Sequence, residues 1–311
     1  MATHAPRTSY LERVDEHIER VVDLTCNPHP AVSVVVVSYS RNEKLISCLM
    51  ALGHQTYGDF EIILVDNGGN QRVQEQIQEH AVRYVGLKQN YGLSAGRNVG
   101  IVLTRAPLVV FLDDDLIAAP GLVEAHARAH QELDIVALRG KCLGKTRTIC
   151  NLLQFHYDLG AQVRPAVMNL AGNSSYNRDV LVRAGGFNPD FFGHEELELM
   201  YRLVTELGID PKRIVYYPSA VGYHDYCHSI RDYAKKRSRH HQMWNDLVRG
   251  HPGIEDFVAS YKQGSSLRPW SSLPRRICSL AVRTAVNGVI DLASGARWRA
   301  PASHSGDSDH Q

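Results

Sequence analysis

Residues 107–115, PLVVFLDDD, place three adjacent aspartates directly after an apolar run of strand type. Neighbouring carboxylates repel one another, so a fold that gathers Asp113, Asp114 and Asp115 at the end of a strand has to offset that cost. A divalent cation does so, and oxygen-rich sites suit Mg²⁺ or Mn²⁺. Open α/β sheets also bind ligands at the carboxyl ends of their strands. The stretch therefore predicts a cation or nucleotide site, against the alternative of a solvated turn or a helix cap.

Strand and helix patterns alternate on the N-terminal side of this stretch. AVSVVVVSYS (31–40), FEIILVDN (60–67) and AVRYVGL (81–87) are short apolar runs typical of buried parallel strands. Residues 42–54, 70–81 and 92–104 have helical spacing. The alternation predicts βαβ units and a nucleotide-binding α/β half over residues 31–120. Residues 9–24 have apolar side chains near helical spacing, which predicts an amphipathic helix within an N-terminal helical extension over residues 1–30.

The C-terminal half has a less regular pattern. It predicts helices over 120–132 and 195–207, strands over 135–140 and 213–225, and a strand with a turn over 167–178. Beyond residue 228 the composition becomes basic, with RDYAKKRSRHH at 231–241, and the tail after residue 300 is polar. We expect a basic, helical C-terminal extension over residues 229–311 that ends in a disordered tail.

Composition limits the class of protein. The chain has 311 residues, with 34 Lys and Arg against 33 Asp and Glu and a formal net charge of +1. This balance argues against a nucleic-acid binder that works through an overall basic surface. No apolar run approaches the roughly 18 residues that cross a bilayer, and MATHAPRTSY lacks the apolar core of a signal peptide. The six scattered cysteines are typical of reduced thiols, so we expect a cytoplasmic protein.

Two more stretches are candidates for ligand binding at the ends of strands. Asp66 ends the run EIILVD and is followed by a tight turn, so it can receive donor groups of a base or ribose, or simply be a turn aspartate. In NYGLSAGRNVG (90–100), glycines allow close backbone approach and Arg97 adds a charged donor. The alternative is a helix start rich in small packing residues, since the glycine spacing does not match a dinucleotide fingerprint.

Candidate acid–base and metal-binding groups follow later in the chain. In FFGHEELELMYRL (191–203), Glu195 and Glu196 open a helix after a glycine. A carboxylate fixed at a helix start suits a general base, although acids are also favoured there by the helix dipole alone. His224, in the stretch GYHD, is either a metal ligand or a packed or solvent-facing histidine.

Two apparent motifs fail on spacing. His126 and His130, in HARAH, are four residues apart, but they lack the glutamate and third ligand of a zinc site, so a solvated helix face is expected. GKCLGKT (140–146) has three residues between its glycines instead of the four of a phosphate-binding loop.

These pieces, taken in order, make residues 31–225 resemble the family 2 glycosyltransferases. The resemblance rests on VSVVVVSYSRNEKLISCLMALGHQTYGDFEIILVDNG, NYGLSAGRNVGI, FLDDD and AGNSSYNRDVLVRAGGFNPDFFGHEELEL. It implies a GT-A fold, which is an α/β class with a Rossmann-like nucleotide-binding half and a mixed central sheet. The glycosyltransferase domain would cover residues 31–228, with the acceptor half over residues 121–228.

The resemblance also implies roles for individual residues. Asp66 would contact the nucleotide base or ribose, and Ser38, Tyr39 and Arg41 would line the same pocket. Glu196 matches the family's catalytic base, although a glutamate stands where the family has aspartate, so Glu195 or Glu198 can hold the role instead. The remaining assignments put Arg97 and Asp114 near the nucleotide, Gly172 and Asn173 at the sugar pocket, Asp113 at the metal and ribose, and Asp115 and His224 at the metal.

The implied activity is inverting transfer of a sugar from a nucleotide-diphosphate sugar to an acceptor hydroxyl, with Mn²⁺ or Mg²⁺ as cofactor. The acceptor would be a glycan, a lipid-linked molecule or a small molecule of cell-envelope polysaccharide, glycolipid or natural-product biosynthesis, and no nucleic acid is expected as a partner. Residues 272–299 alternate arginines with apolar residues, which suits peripheral contact with the inner face of a membrane, core packing or a second subunit. Two other readings are a catalytically inactive glycosyltransferase-like binding module and a sugar-phosphate nucleotidyltransferase.

Overall fold

In the computed structural model of the protein, ten strands of the described residues form one mixed sheet. The structure describes residues 9–25, 27–39, 42–68, 73, 76–146, 157–168, 170, 172–191, 193–264, 284–285 and 287–288. The strands are β1 (Ile18–Asp23), β2 (Val32–Ser38), β3 (Phe60–Asp66), β4 (Val82–Leu87), β5 (Leu108–Asp113), β6 (Ile117–Ala118), β7 (Ala137–Leu143), β8 (Arg164–Pro165), β9 (Asn173–Asn177) and β10 (Ile214–Tyr223).

The sheet joins a parallel half to a mixed half. Its strand order is β1-β4-β3-β2-β5-β9-β7-β10-β6, and β8 pairs with β10. β4, β3, β2 and β5 run parallel, as the βαβ pattern predicts. β9 lies antiparallel to both β5 and β7, which makes the central sheet mixed. The predicted α/β class is confirmed.

Helices cover both faces of the sheet. They are α1 (Asn42–Gly53), α2 (Leu93–Leu103), α3 (Leu122–Glu132), α4 (Arg178–Arg183), α5 (Glu195–Thr205), α6 (Ile230–Gly250) and α7 (Ile254–Gly264), with 3₁₀ turns at Val14–His17 and Pro211–Arg213. None of these described helices is long and apolar enough to span a bilayer. Part of the helix predicted over 70–81, and nearly all of the membrane-contact segment predicted over 272–299, lie outside the described residues.

Alternating side chains of the central strands fill two separate hydrophobic cores. In β2, Val34 and Val36 pack on the face that holds α1, whereas Val35 packs on the face that holds α2. A strand that is buried on both faces needs an unbroken apolar run, which is why SVVVV lies at the centre of the sheet.

Glycines bring α2 close to β2. A Cβ atom at Gly96 would lie 2.6 Å from Cγ1 of Val37, and one at Gly100 would lie 2.4 Å from Cγ1 of Val35. Both distances are far below van der Waals contact, so a larger residue would move the helix off the sheet. Gly96 and Gly100 in NYGLSAGRNVG therefore serve helix packing, which was the alternative to ligand binding for this stretch.

The helix predicted over residues 9–24 is wrong. The segment forms the 3₁₀ turn and then β1, which pairs antiparallel with β4, with Val21 opposite Val85 and Val22 opposite Tyr84. Without this strand, β4 would present an open row of backbone donors and acceptors at the sheet edge. Ile18, Val21 and Val22 are β-branched, which favours a strand. The hydrogen bonds to β4 stabilise this strand more than the weak helical spacing of the apolar residues would stabilise a helix.

Replacing Gly100 with alanine should destabilise the protein, because the new methyl group would overlap the Val35 side chain. We expect Gly100→Ala to lower the free energy of unfolding by about 1–3 kcal/mol. Gly53→Ala is the matched control, since nothing lies within 4 Å of the Cβ position at Gly53. Urea unfolding of both variants tests the packing, and a Gly100→Ala variant as stable as the native protein would contradict it.

Candidate active site

Parallel strands bring three of the predicted site residues to one edge of the sheet. Ser38 at the end of β2 is in register with Asp66 at the end of β3. On the other side of β2, Val37 is in register with Asp113 at the end of β5. Asp66 and Asp113 therefore lie on the two sides of the end of β2. This is the edge at which open α/β sheets bind their ligands.

Asp113, Asp115 and His224 form a group that can hold a metal ion. One ligand atom from each lies within 4.8 Å of the others. Antiparallel pairing of β6 with β10 carries His224 to the aspartates, and its Nε2 lies 3.1 Å from Oδ1 of Asp115. Two carboxylates and an imidazole fit Mn²⁺ or Mg²⁺, so the donor set of the chain suits the predicted cation.

Gly172 makes room for the Asp113 carboxylate. A Cβ atom at Gly172 would lie 2.2 Å from Oδ2 of Asp113, and the glycine has a φ of +68°. Its carbonyl oxygen also accepts a hydrogen bond from the Asp113 amide at 3.1 Å. Glycine is needed here on two grounds, space and backbone conformation.

The middle aspartate of the triplet has a different environment. Asp114 is buried, and its Oδ2 accepts a hydrogen bond of 2.8 Å from the Ser38 hydroxyl. This contact ties the end of β2 to the end of β5. Asp114 thus has a structural contact with Ser38, which fixes the ends of β2 and β5 relative to each other.

Asp66 is held by a buried tyrosine. The Tyr84 hydroxyl donates a 2.8 Å hydrogen bond to Oδ2 of Asp66, and burial together with this bond raises the pKa of Tyr84. Tyr39 is 55% exposed, and its ring lies against Gly68 just beyond Asp66. Arg41, predicted in the same pocket, lies outside the described residues.

Asn67, in the tight turn that follows Asp66, fixes the loop before α2, a role that the sequence pattern does not indicate. Its Nδ2 donates to the Gly92 carbonyl at 2.9 Å, and its Oδ1 accepts from the Tyr91 amide at 2.9 Å. The buried amide therefore joins the end of β3 to the start of the Gly92-containing stretch.

Arg97 connects the metal-binding group to the helix that carries the candidate bases. Its Nη1 donates to Oε1 of Glu195 at 3.0 Å, and its Nη2 lies 3.9 Å from Oδ1 of Asp113. The guanidinium is buried over the rings of Phe111 and Phe187, at 5.8 and 5.2 Å from their centroids. The structure places Arg97 between two carboxylates beneath the site.

The three glutamates at the start of α5 have three different environments. Glu198 is fully buried and forms two 2.7 Å hydrogen bonds with Arg202, so its carboxylate is occupied. Glu195 is buried and paired with Arg97. Glu196 is half-buried, and burial first, then the neighbouring Glu195 charge, raises its pKa to about 7. Glu196 is the most accessible of the three, and its raised pKa suits a base that works near neutral pH.

Asn173 lies in a buried polar chain with the two histidines of HARAH. Its Oδ1 lies 2.9 Å from Nε2 of His126, and its Nδ2 donates to the carbonyl of Ala220 at 3.0 Å. Ser175 connects His126 to His130, at 2.9 Å from each ring. The solvated helix face expected for these histidines is wrong, because α3 packs them against the hydroxyl and amide side chains of β9.

Two lysines approach Asp115, and the sequence reasoning missed both. Nζ of Lys44, in α1, lies 3.7 Å from Oδ2 of Asp115. Lys145, from the rejected GKCLGKT stretch, donates through Nζ to the Asp115 carbonyl, and Asp225 anchors its loop by accepting from the Lys145 amide at 2.9 Å. The stretch that fails as a phosphate-binding loop thus still supplies a cation at the site.

Comparison with known proteins identifies sequence relatives of this arrangement. Residues 33–187 match the family model described as glycosyl transferase family 2. Validoxylamine A glucosyltransferase of Streptomyces hygroscopicus subsp. limoneus is 26% identical over 216 residues, 56% of this chain and 48% of that protein. The uncharacterized glycosyltransferase YfnE of Bacillus subtilis is 31% identical over 113 residues, 35% of this chain and 29% of that protein. The chain thus spans about half, or less, of the length of these relatives.

Solved structures share the fold at low sequence identity. The mannosyltransferase PcManGT from Pyrobaculum calidifontis, in complex with GDP-Man and Mn²⁺, matches 92% of this chain and 86% of its own, with a TM-score of 0.55 and 17% identity. S. aureus TarS 1–349 in complex with UDP-GlcNAc matches 84% and 83%, with a TM-score of 0.51 and 17% identity. The predicted GT-A fold is confirmed.

His126 and His130 should make the stability of the protein fall in mild acid. Burial lowers the pKa of His126 and of His130 to about 4, whereas an unfolded histidine titrates near 6.5. Between these values the unfolded chain binds protons that the folded chain does not. Lowering the pH through this window should therefore lower the free energy of unfolding, by up to about 1.4 kcal/mol per pH unit for each imidazole.

Urea unfolding at about pH 7.5 and pH 5 measures this dependence. His130→Gln should reduce the change in the free energy of unfolding between these two pH values. His241→Gln, at an exposed position of α6, should leave this change as it is in the native protein. Equal slopes for the native protein and His130→Gln would contradict the assignment.

Proposed function

Because the chain belongs to the family 2 glycosyltransferases, we propose that it transfers a sugar from a nucleotide-diphosphate sugar to an acceptor hydroxyl, with inversion at the anomeric carbon. The observation that carries the proposal is the Asp113–Asp115–His224 group at one strand end, which a single guanidinium links to the helix of Glu196. The validoxylamine A glucosyltransferases among the relatives support a small-molecule acceptor as one class to test.

The donor would lie across the carboxyl ends of β2, β3 and β5. Asp66 would accept hydrogen bonds from the base or ribose, with the exposed Tyr39 ring beside it. Asp113, Asp115 and His224 would hold Mn²⁺ or Mg²⁺, which when bound neutralises the charge that develops on the leaving diphosphate. Lys44 adds a positive charge on the same side, since its ammonium group already lies 3.7 Å from Asp115.

Glu196 would act on the acceptor. Its carboxylate takes the proton of the acceptor hydroxyl as that oxygen attacks the anomeric carbon, and the bond from this carbon to the diphosphate oxygen breaks. The oxygen enters opposite to the leaving group, so one displacement inverts the configuration. Arg97 neutralises Glu195, which limits the repulsion that Glu196 feels from its neighbour.

A panel of nucleotide-diphosphate sugars tests the proposal directly. At least one should raise the melting temperature in the presence of Mn²⁺ and be hydrolysed slowly to the nucleoside diphosphate and free sugar. A ligand that binds only the folded state stabilises it by RT ln(1 + [L]/Kd), so at equal concentration a true donor raises the melting temperature more than a weak binder does. If no nucleotide sugar with UDP, GDP, ADP, CDP or dTDP binds or is cleaved, the proposal is wrong.

Glu196→Gln should abolish transfer and leave donor binding intact, because the amide keeps the size of the side chain but cannot take a proton. We expect a loss of about 10²–10⁴-fold in turnover, the usual contribution of a general base. Calorimetric titration with the donor should give an unchanged dissociation constant. Glu132→Gln, at an exposed position of α3, is the control, and full turnover by Glu196→Gln would refute the base assignment.

Activity should fall on the acid side of neutrality. The base works only when ionised, and the pKa of Glu196 is raised to about 7. Below that pH, kcat/KM should decrease about tenfold per pH unit, since each unit lowers the ionised fraction tenfold. Initial rates from about pH 5.5 to 8.5 measure this limb. A flat profile down to about pH 5.5 would count against Glu196 as the titrating base.

Asp115→Ala should remove the dependence of nucleotide binding on the metal, because it takes one of three ligands from the group. We expect manganese affinity, followed by electron paramagnetic resonance, to fall at least about tenfold. Asp134→Ala is the control, since Asp134 is an exposed carboxylate paired with Arg213. Unchanged manganese affinity in Asp115→Ala would overturn the metal assignment.

A further inference from the structure

β10 is interrupted just before it reaches the metal-binding group. Tyr217 of β10 pairs with Gly140 of β7, and the next pair is Val221 with Lys141. Residues 218–220 therefore lie between two successive residues of β7, and the first of them is a proline, which cannot donate a hydrogen bond to a neighbouring strand. We call residues 218–220 the β10 bulge, because extra residues in one strand of a pair bend that strand and shift its register.

The β10 bulge sets the position of His224. Beyond the bulge, β10 pairs with β7 again as far as Tyr223, opposite Leu143, and the His224 amide donates to the Leu143 carbonyl at 2.8 Å. Side chains alternate between the two faces of a strand. A register change of one residue would therefore move His224 by about 3.3 Å and turn its imidazole to the opposite face of the sheet. In the observed register, Nε2 of His224 lies 3.1 Å from Oδ1 of Asp115.

The side chain of Asn173, in β9, is hydrogen-bonded both to the β10 bulge and to β7. Its Nδ2 donates to the Ala220 carbonyl, in the bulge, at 3.0 Å and to the Lys141 carbonyl, in β7, at 3.3 Å. Gly140 leaves room for this contact, since a Cβ atom there would lie 2.3 Å from Nδ2 of Asn173 and 2.4 Å from the Ala220 oxygen. Ala220 is fully buried, and a buried carbonyl needs a hydrogen-bond donor. The Asn173 amide supplies that donor.

His126 of α3 fixes the orientation of this amide. Asn173 is 1% exposed, and its Oδ1 lies 2.9 Å from Nε2 of His126. Because the groups that face β7 and β10 are carbonyl oxygens, Nδ2 has to face them, and Oδ1 then accepts from Nε2 of the imidazole. Ser175, two residues further along β9, lies 2.9 Å from Nδ1 of the same ring. Both polar atoms of the Asn173 side chain are thus engaged within the protein.

The backbone around Asn173 is connected to the other metal-binding strand. Asn173 lies opposite Leu112 in the antiparallel pair of β9 with β5, and Leu112 directly precedes Asp113. The carbonyl of Gly172, the preceding residue in the chain, accepts the hydrogen bond from the Asp113 amide. Asn173 therefore links β5, which carries Asp113, to β10, which leads to His224.

We propose that Asn173 is a positioning residue for the metal ligand His224, because it holds the β10 bulge in the register that brings the imidazole to Asp113 and Asp115. This role rests on the proposed function, since it takes these three side chains as the metal ligands. Groups behind a metal ligand orient it, and their substitution lowers metal affinity by about 10–100-fold. Asn173 acts through the backbone of β10 and does not itself bind the metal.

Asn177 offers a matched control in the same strand. Its Oδ1 lies 2.9 Å from Nδ1 of His130, and its Nδ2 donates to the Ile135 carbonyl at 3.4 Å, so it has the same kinds of partner as Asn173. It pairs with the first residue of β5, about 13 Å along the strand from Asn173 at about 3.3 Å per residue. Asn177→Ala should therefore lower the free energy of unfolding without displacing His224.

Electron spin echo envelope modulation of bound Mn²⁺ tests the proposal, because it detects the nitrogen nucleus of a coordinated imidazole. The full chain is measured with saturating Mn²⁺ alone, and the folding of each variant is checked by circular dichroism. The native protein should show nitrogen modulation, and His224→Ala should abolish it. Asn173→Ala should lose most of this modulation and bind Mn²⁺ about tenfold more weakly, whereas Asn177→Ala should keep both the modulation and the native affinity.

Native modulation and native affinity in Asn173→Ala would overturn the positioning role. An equal loss in Asn177→Ala would overturn it as well, because it would indicate a general loosening of the sheet. If Asn173→Ala does not fold, Asn173→Ser takes its place, since a serine hydroxyl fills part of the space but is too short to reach both carbonyls. The same loss of modulation is expected for Asn173→Ser, and its retention would contradict the positioning role.

The His224→Ala variant separates this result from the proposed function. A native protein without nitrogen modulation, or modulation that survives in His224→Ala, would contradict the metal assignment of the proposed function and the positioning role together. Modulation that depends on His224 but is unchanged in the Asn173 variants would contradict the positioning role alone.

Discussion

The Arg97 guanidinium is the contact on which the site depends. It lies beneath the surface between Phe111 and Phe187, 3.0 Å from Glu195 and 3.9 Å from Asp113. A buried cation is costly unless carboxylates compensate it, and buried carboxylates have the same requirement in return. One charged group therefore holds the proposed metal ligand Asp113 and the helix of the proposed base at a fixed separation. Removing it would leave Glu195 buried without this partner and would increase the repulsion among the acids.

The neighbours of Arg97 in sequence explain how it reaches this place. Gly96 lets α2 approach β2 closely enough for the guanidinium to pass under the sheet edge. Asn98 accepts the Phe187 amide at 2.8 Å and donates to the Phe187 carbonyl at 2.8 Å, which fixes the ring against the guanidinium. Each residue of the Gly–Arg–Asn triplet thus has a separate structural task. The stretch, first considered for ligand binding, serves mainly to position the residues that bind.

Much of the fold could be predicted because local pattern and tertiary environment agree there. The run SVVVV can only be buried on both faces, and the strand ends at Asp66 and Asp113 follow directly from such runs. β1 could not be predicted, because its pairing with β4 depends on a sheet edge that is 60 residues away in the chain. A short segment whose apolar residues fit neither helical nor strand spacing well forms the structure that its tertiary contacts stabilise, here a strand paired with β4.

Some residues of the candidate site could be predicted from the sequence, and others could not. The acids were recognisable because their chemistry is unusual at strand and helix ends, whereas Lys44, Lys145 and Asn67 look ordinary in sequence. Their position near the site depends on loops that only the fold brings together. Sequence alone also left Glu195, Glu196 and Glu198 as alternative bases. The ion pairs of Glu195 with Arg97 and of Glu198 with Arg202 are the observations that favour Glu196 in the proposed mechanism.

Anomalous scattering from Mn²⁺, in crystals grown with a nucleoside diphosphate, would locate the metal and the nucleotide together. We expect one strong manganese peak bound by Asp113, Asp115 and His224, with the diphosphate oxygens on the metal and the Glu196 carboxylate facing the same cavity. A manganese peak elsewhere, or a nucleotide bound at a different edge of the sheet with Glu196 facing away from it, would rule out this site as the active site.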